Sequence, residues 1–285
     1  MRALTCSLLL SLSTSMLSAQ EAIVSQGLDA DWYPADGETA VLLLHGTLAH
    51  NRMEIIQTIA EVVSDEHDLP VLAPNLSYNL PGRTGMLDCA ITHRHKHSDA
   101  AREIAQWVTY LADQGYQRIL VSAHSRGGAQ LSEYLAKTPH SAVIGAVLIA
   151  PATFDLARQQ AGYERRYGTP LDRIIADASK QSPDAIMTVP GFVYCENATV
   201  TAASFLDYYA DTMYRDTPTN LASIELPVTV VAGSADDVVS DLPDRLAAAS
   251  LSERVTLEVL EGADHFFRDL YADDVAALIA ERAAP

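Results

Sequence analysis

Residues 119–128 read Ile-Leu-Val-Ser-Ala-His-Ser-Arg-Gly-Gly. An apolar, strand-length run ends in small residues and passes directly into a helical pattern, which sets Ser125 at a strand-to-helix turn. A serine hydroxyl is a weak nucleophile at neutral pH and reacts only with a base beside it. The candidate base is His265, within 261–267 (Glu-Gly-Ala-Asp-His-Phe-Phe). Carboxylates that could orient its ring are Asp236 and Asp237, within 232–239 (Ala-Gly-Ser-Ala-Asp-Asp-Val-Val). Each of these segments directly follows an apolar run, so each is expected on the sheet edge that carries Ser125. Asp264 adjoins the base and reads as a surface or supporting group. The bland alternatives are a helix-capping serine and a loop histidine.

The elements that must position these residues are legible in the apolar pattern. Runs at 40–44, 71–73, 118–122, 142–149, 228–232 and 255–260 are strand-length and rich in Val, Ile or Leu. Continuous rather than alternating apolar runs suit a parallel sheet covered on both faces. Between them, 52–65, 99–113, 128–137 and 270–282 repeat apolar residues at three- and four-residue spacing, with Ser98 a plausible N-cap. This alternation predicts a doubly wound, mostly parallel α/β domain. The alternation breaks after Ala152. Residues 153–222 carry Tyr163, Tyr167, Tyr194, Tyr208, Tyr209 and Tyr214 and predict helices at 155–166, 170–180 and 201–214. They read as a helical cap inserted between the two parts of the core, 20–152 and 223–285, at the edge where open α/β sheets bind ligands.

Taken together, these segments resemble the α/β-hydrolase family, in its esterase- and lipase-like form with a helical cap. The resemblance spans about residues 38 to 282. The serine turn matches the family's nucleophile elbow, with Gly127 in the later small position and Ala123 where a glycine is usual. The family's order of serine, acid, histidine implies a Ser125–Asp236–His265 triad. Asp236 is preferred to Asp237 because it stands three residues after Gly233, the family's spacing. The His45-Gly46-Thr47 turn implies an oxyanion hole from the backbone N–H groups of Thr47 and Arg126, with His45 bracing the turn. The nucleophile is serine, unlike that of the family's dehalogenases and dienelactone hydrolases, and the extended glycine run of the HGGG-type esterases is missing. The implied activity is hydrolysis of carboxylic esters through an acyl-serine, with no cofactor. The alternatives are a lipase, thioesterase or acyltransferase on the same residues, or a non-catalytic or metal-binding protein that keeps the fold.

Other features bound the setting. The 285 residues carry a formal net charge of −18, which disfavours nucleic acid and anionic membranes as partners and mildly disfavours polyanionic substrates; a small-molecule ester or acyl substrate is what the resemblance implies. Residues 1–19 hold Arg2, an apolar stretch and Ser18-Ala19, and are expected to act as a secretory signal, making the protein periplasmic or secreted. No later stretch is apolar for long enough to insert in a membrane. Removal of that signal would take Cys6 and leave Cys89 and Cys195, which can pair in an oxidising compartment. His93, His95 and His97 alternate along one segment, and three histidines can hold zinc; the ester chemistry needs no metal.

Overall fold

The computed structural model describes residues 20–210 and 213–285. The expected signal segment, 1–19, lies outside the described residues. The chain opens with a hairpin, β1 (Glu21–Ser25) and β2 (Leu28–Tyr33). There follow β3 (Thr39–Leu44), α1 (Glu54–His67), β4 (Val71–Asn75), the short β5 (Thr92–His93), α2 (Asp99–Asp113), β6 (Arg118–His124), α3 (Arg126–Lys137) and β7 (Val143–Ile149). The insertion holds α4 (Leu156–Tyr167), α5 (Leu171–Ala178), β8 (Ile186–Phe192), β9 (Cys195–Thr201), α6 (Ala202–Tyr209) and α7 (Thr217–Leu221). The core resumes with β10 (Val228–Gly233), α8 (Leu242–Ala248), β11 (Val255–Leu260) and α9 (Leu270–Ala283).

The main sheet runs β1-β2-β4-β3-β6-β7-β10-β11. It is parallel from β4 to β11, and only the β1–β2 and β2–β4 pairings are antiparallel. The six apolar runs of the sequence are all strands of this sheet. Residues 40–44 of β3 are fully buried because helices cover both faces. α1 packs with α9 and α2 with α3, and β6 touches both α9 and α3. The direction of winding reverses between β3 and β6, since β3 lies between β4 and β6. A crevice opens at the carboxyl ends of the strands at such a reversal. Thr47 follows β3 and Ser125 follows β6, so both stand at its mouth.

The insertion differs from the helical cap expected. Its first two helices fall where expected, but residues 186–201 form an antiparallel hairpin, β8–β9, and the helix after it ends at Tyr209. The hairpin turns on Val193 and Tyr194, with φ of 48° and 78°. A two-residue turn of this kind is ordinarily built from Asn-Gly or Gly-Gly, so Val-Tyr gives no turn signal. Pro190 and Gly191 further disguise β8, since both weaken a strand pattern. β9 also pairs with β5, tying the hairpin to the segment after β4. Ser98 does not cap α2 with its side chain; its hydroxyl donates to Asp207 in α6, 2.8 Å away.

Aromatic rings fill the seam between insertion and core. Phe205 and Tyr209 pack with Tyr163, Phe192 packs with Phe205, Tyr208 and Tyr209, and His93 and His95 lie against Phe192. Cys195 at the start of β9 is disulfide-bonded to Cys89, with Cα atoms 5.2 Å apart and a sequence separation of 106 residues. Closing so long a loop restricts the unfolded chain strongly. Replacing both cysteines by serine should lower the unfolding free energy by about 2–4 kcal/mol in urea titrations. Equal stability of the variant and the oxidised wild type would show that the bridge does not constrain the chain.

Candidate active site

Ser125 occupies the junction of β6 and α3 with φ 54° and ψ −124°, a conformation that costs an L-residue roughly 1–3 kcal/mol. Its backbone N–H donates to the Ile149 carbonyl of β7 at 2.8 Å, which holds the turn in place. So sharp a turn brings α3 close to the β3 turn. A Cβ on Gly127 would stand 2.2 Å from the His45 carbonyl oxygen, so no other residue fits. A Cβ on Gly46 would come within 3.1 Å of the Ser125 side chain. Ala123 is fully buried in β6, and its methyl is accommodated where the family more often has glycine.

Three residues from three strand ends meet at the serine. His265 Nε2 lies 2.9 Å from Ser125 Oγ, and His265 Nδ1 lies 2.8 Å from Asp236 Oδ2. All three side chains are nearly buried. Asp236 Oδ1 accepts the N–H groups of Val238 and Val239 at 2.8 and 3.0 Å. Burial works against ionisation of Asp236. The hydrogen bonds from His265 and these amides outweigh it and hold the carboxyl below its ordinary range. A carboxylate so fixed makes His265 Nδ1 the proton-bearing nitrogen and leaves Nε2 free to accept from the serine hydroxyl. Asp237 is exposed and outside this arrangement. Asp264 pairs with Arg268 at 3.1 Å.

Thr47 and Arg126 line the same cavity as Ser125. Arg126 is the first residue of α3, so its N–H has no intrahelical acceptor. Among the described residues, neither its amide nor that of Thr47 is engaged by another group. Arg126 Nε donates to Thr47 Oγ1 at 3.1 Å, linking the two turns. Two unengaged amides beside a nucleophile can accept the negative charge that develops on a carbonyl oxygen. His45 is turned away from the serine chemistry. Its Nδ1–H donates to the Gly46 carbonyl at 3.0 Å and its Nε2 accepts the Leu76 amide at 3.0 Å.

Sequence reasoning missed His124. Its Nε2–H donates to the His265 carbonyl at 2.8 Å, and its ring lies 4.9 Å from the His265 ring, so it fixes the loop that carries the base. The histidine in the elbow was visible in the sequence, but nothing local indicated a contact 141 residues away. His93, His95 and His97 are buried in the cap seam, not at the serine. His95 Nδ1 bonds the Tyr208 hydroxyl at 3.0 Å, and His97 Nε2 lies 3.7 Å from Glu133. Among the described residues, no group of three or more His, Cys, Asp or Glu side chains is arranged to hold a metal ion.

The family model described as the alpha/beta hydrolase family matches residues 41–278. The chain belongs to that family. Several α/β hydrolases of known structure share its fold at low identity. Est1E from Butyrivibrio proteoclasticus aligns at 15% identity with a TM-score of 0.62, over 94% of this chain and 100% of the other. The monoacylglycerol lipase of Paleococcus ferrophilus aligns at 16% and 0.59, over 90% and 98%. The Pyrococcus furiosus esterase Pf2001 aligns at 16% and 0.57, over 93% and 89%. Comparison with curated protein sequences gave no match. No described helix of this α/β hydrolase is long and apolar enough to cross a membrane.

The buried histidines of the site and of the seam also make the protein's stability depend on pH. Burial, with Arg83 nearby, lowers His45 to about 3. Burial and His93 lower His95 to about 3, and burial and His265 lower His124 to about 4. Below about pH 6.5 the unfolded chain takes up protons at these positions while the folded chain does not, so stability falls with pH through this window. Burial raises Glu103 and Glu133, which work in the opposite direction by taking up protons in the folded chain above the ordinary carboxylate range. At about pH 5.5 the three histidines should remove up to roughly 4 kcal/mol. Urea unfolding at about pH 7.5 and 5.5 should therefore show lower stability in acid. Equal or greater stability at the lower pH would mean that these rings protonate in the folded protein.

Proposed function

We propose that the protein hydrolyses carboxylic esters through an acyl-serine intermediate. The observation that carries this reading is the unbroken chain of hydrogen bonds from Ser125 Oγ through the His265 ring to Asp236, at 2.9 and 2.8 Å. Ser125 Oγ attacks the ester carbonyl carbon as its proton passes to His265 Nε2. Asp236 keeps the ring oriented and stabilises the imidazolium. The oxyanion of the tetrahedral intermediate accepts the amides of Thr47 and Arg126. As it collapses, the carbon–oxygen bond to the alcohol breaks and His265 returns the proton to the leaving oxygen. Water, deprotonated by the same ring, then cleaves the acyl-serine and releases the acid.

The company of esterases and a lipase among the structural neighbours supports hydrolysis over other chemistries of the fold. Est1E has been captured with ferulic acid, a small organic acid, which supports a substrate of similar class. A bridge between Cys89 and Cys195 suits an oxidising compartment and supports export directed by residues 1–19.

Steady-state hydrolysis of an activated ester tests the assignment. Ser125→Ala should lose on the order of 10⁴–10⁶-fold in kcat. Asp236→Asn should lose on the order of 10⁴-fold, because the amide imposes the wrong imidazole tautomer. Asp237→Asn, at an exposed position, should stay close to wild type. Wild-type turnover by Ser125→Ala would refute the mechanism.

A further inference from the structure

The space around Ser125 has two lobes of opposite chemistry. One, of about 380 Å³, lies on the His265 side and is walled by Met53, Ile55, Ile56, Met86 and Phe266. The other, of about 470 Å³, lies under the insertion and is bordered by Arg126, Arg158, Arg165, Arg166 and Arg215, with Asp155 as the single carboxylate. Ser125, Thr47, Tyr194 and Val238 border both. The whole chain has 37 acidic residues against 19 Lys and Arg. Five arginines around one cavity therefore reverse the local charge against the trend of the molecule.

Some of these guanidinium groups have structural duties. Arg158 pairs with Asp241. Arg215 donates to the Asp207 carbonyl at 3.1 Å and lies 4.2 Å from the Phe154 ring centre. Arg126, Arg165 and Arg166 form no ion pair with a carboxylate among the described residues. Arg166 lies over the Tyr194 ring at 4.8 Å, and that ring borders both lobes. Three cations without a carboxylate partner, grouped around a cavity that reaches the serine, fit a ligand that brings the negative charge itself.

The geometry of the proton transfer assigns a lobe to each part of an ester. The leaving oxygen must reach His265 Nε2, and His265 borders only the apolar lobe. The carbonyl oxygen must reach the amides of Thr47, where the lobes meet, and of Arg126, which borders only the arginine lobe; with the alcohol on the His265 side, the arginine lobe is left for the acyl chain. Building on the ester-hydrolase reading, we infer that the substrate is an ester of an acid carrying a second, anionic group, carboxylate or phosphate, with an apolar alcohol. The anionic end of the acyl chain lies among Arg126, Arg165 and Arg166, and the alcohol lies against Met53, Ile56 and Phe266. The insertion thus selects the acyl part by charge.

Three benzyl esters of matched length test this: benzyl hexanoate (neutral), benzyl hydrogen adipate (carboxylate) and benzyl 5-phosphonopentanoate (phosphonate). Wild-type kcat/KM should favour at least one anionic ester over the neutral one by about tenfold or more, the size of one charge-assisted contact. Whichever is preferred identifies the anion. The preference should fall toward unity in the double variant Arg165→Gln, Arg166→Gln, whose substitutions are exposed, and should shrink at high salt. Turnover of benzyl hexanoate at least equal to both anionic esters would overturn the inference and leave the ester-hydrolase reading standing. If none of the three esters turned over, that reading would fall, and calorimetric titration with adipate and with 5-phosphonopentanoate would decide the anion site alone. Binding to the wild type that is lost in the double variant would support it, and no binding would overturn it.

Discussion

The left-handed backbone of Ser125 governs how the rest of the site is built. Its φ of 54° and ψ of −124° are held because β6 enters the turn at full burial and α3 leaves it at once. The hydrogen bond from Ser125 N to Ile149 ties the turn to the neighbouring strand. The sharp turn projects the serine from the sheet edge, and its steric demands propagate outward. Gly127 must be small to pass the His45 carbonyl, and any side chain on Gly46 would crowd the serine side chain. His45 is then locked between the Gly46 carbonyl and the Leu76 amide, which fixes the turn bearing Thr47. His124, one residue before the serine, reaches across to the His265 carbonyl and fixes the loop bearing the base. One strained residue thus sits at the centre of a brace that sets both the base and the amide donors.

The insertion adds a second layer of constraint. Val193 and Tyr194 turn with positive φ, an unfavourable choice for a β-branched and an aromatic residue. The turn is held from below by the Tyr209 hydroxyl, which accepts the Val193 amide at 2.9 Å, and from the side by the Cys89–Cys195 bridge. Tyr194 consequently stands where the apolar and the arginine-bordered lobes meet. The partition of the cavity into two chemistries therefore depends on a turn that the aromatic seam and the disulfide keep in place.

The parts of this architecture that local pattern controls were readable in the sequence. Continuous Val, Ile and Leu runs report burial on both faces of a parallel sheet, and the six strands they predict are present. Ser125, Asp236 and His265 each follow a strand end, and the fold brings Ser125 and Asp236 each within hydrogen-bonding distance of His265. The unread parts depend on contacts between distant segments. The N-terminal hairpin alternates only weakly between buried and exposed residues. The β8–β9 hairpin lacks a glycine turn and contains Pro190, so its pairing is specified by β5 and the aromatic seam rather than by its own residues. The arginines of the cavity come from α3, α4 and the segment before α7, and no spacing along the chain joins them. For the same reason the overall charge of −18 gave no hint of a cationic lobe.

The central claim is that Ser125 is a nucleophile activated by His265, and covalent labelling reads this without knowledge of the substrate. The folded protein would be treated with a fluorophosphonate and analysed by intact mass, then by peptide mapping. The account predicts one adduct per chain, on Ser125, formed by the folded protein and not by urea-denatured protein. An unlabelled folded protein, or an adduct on a different residue, would contradict it.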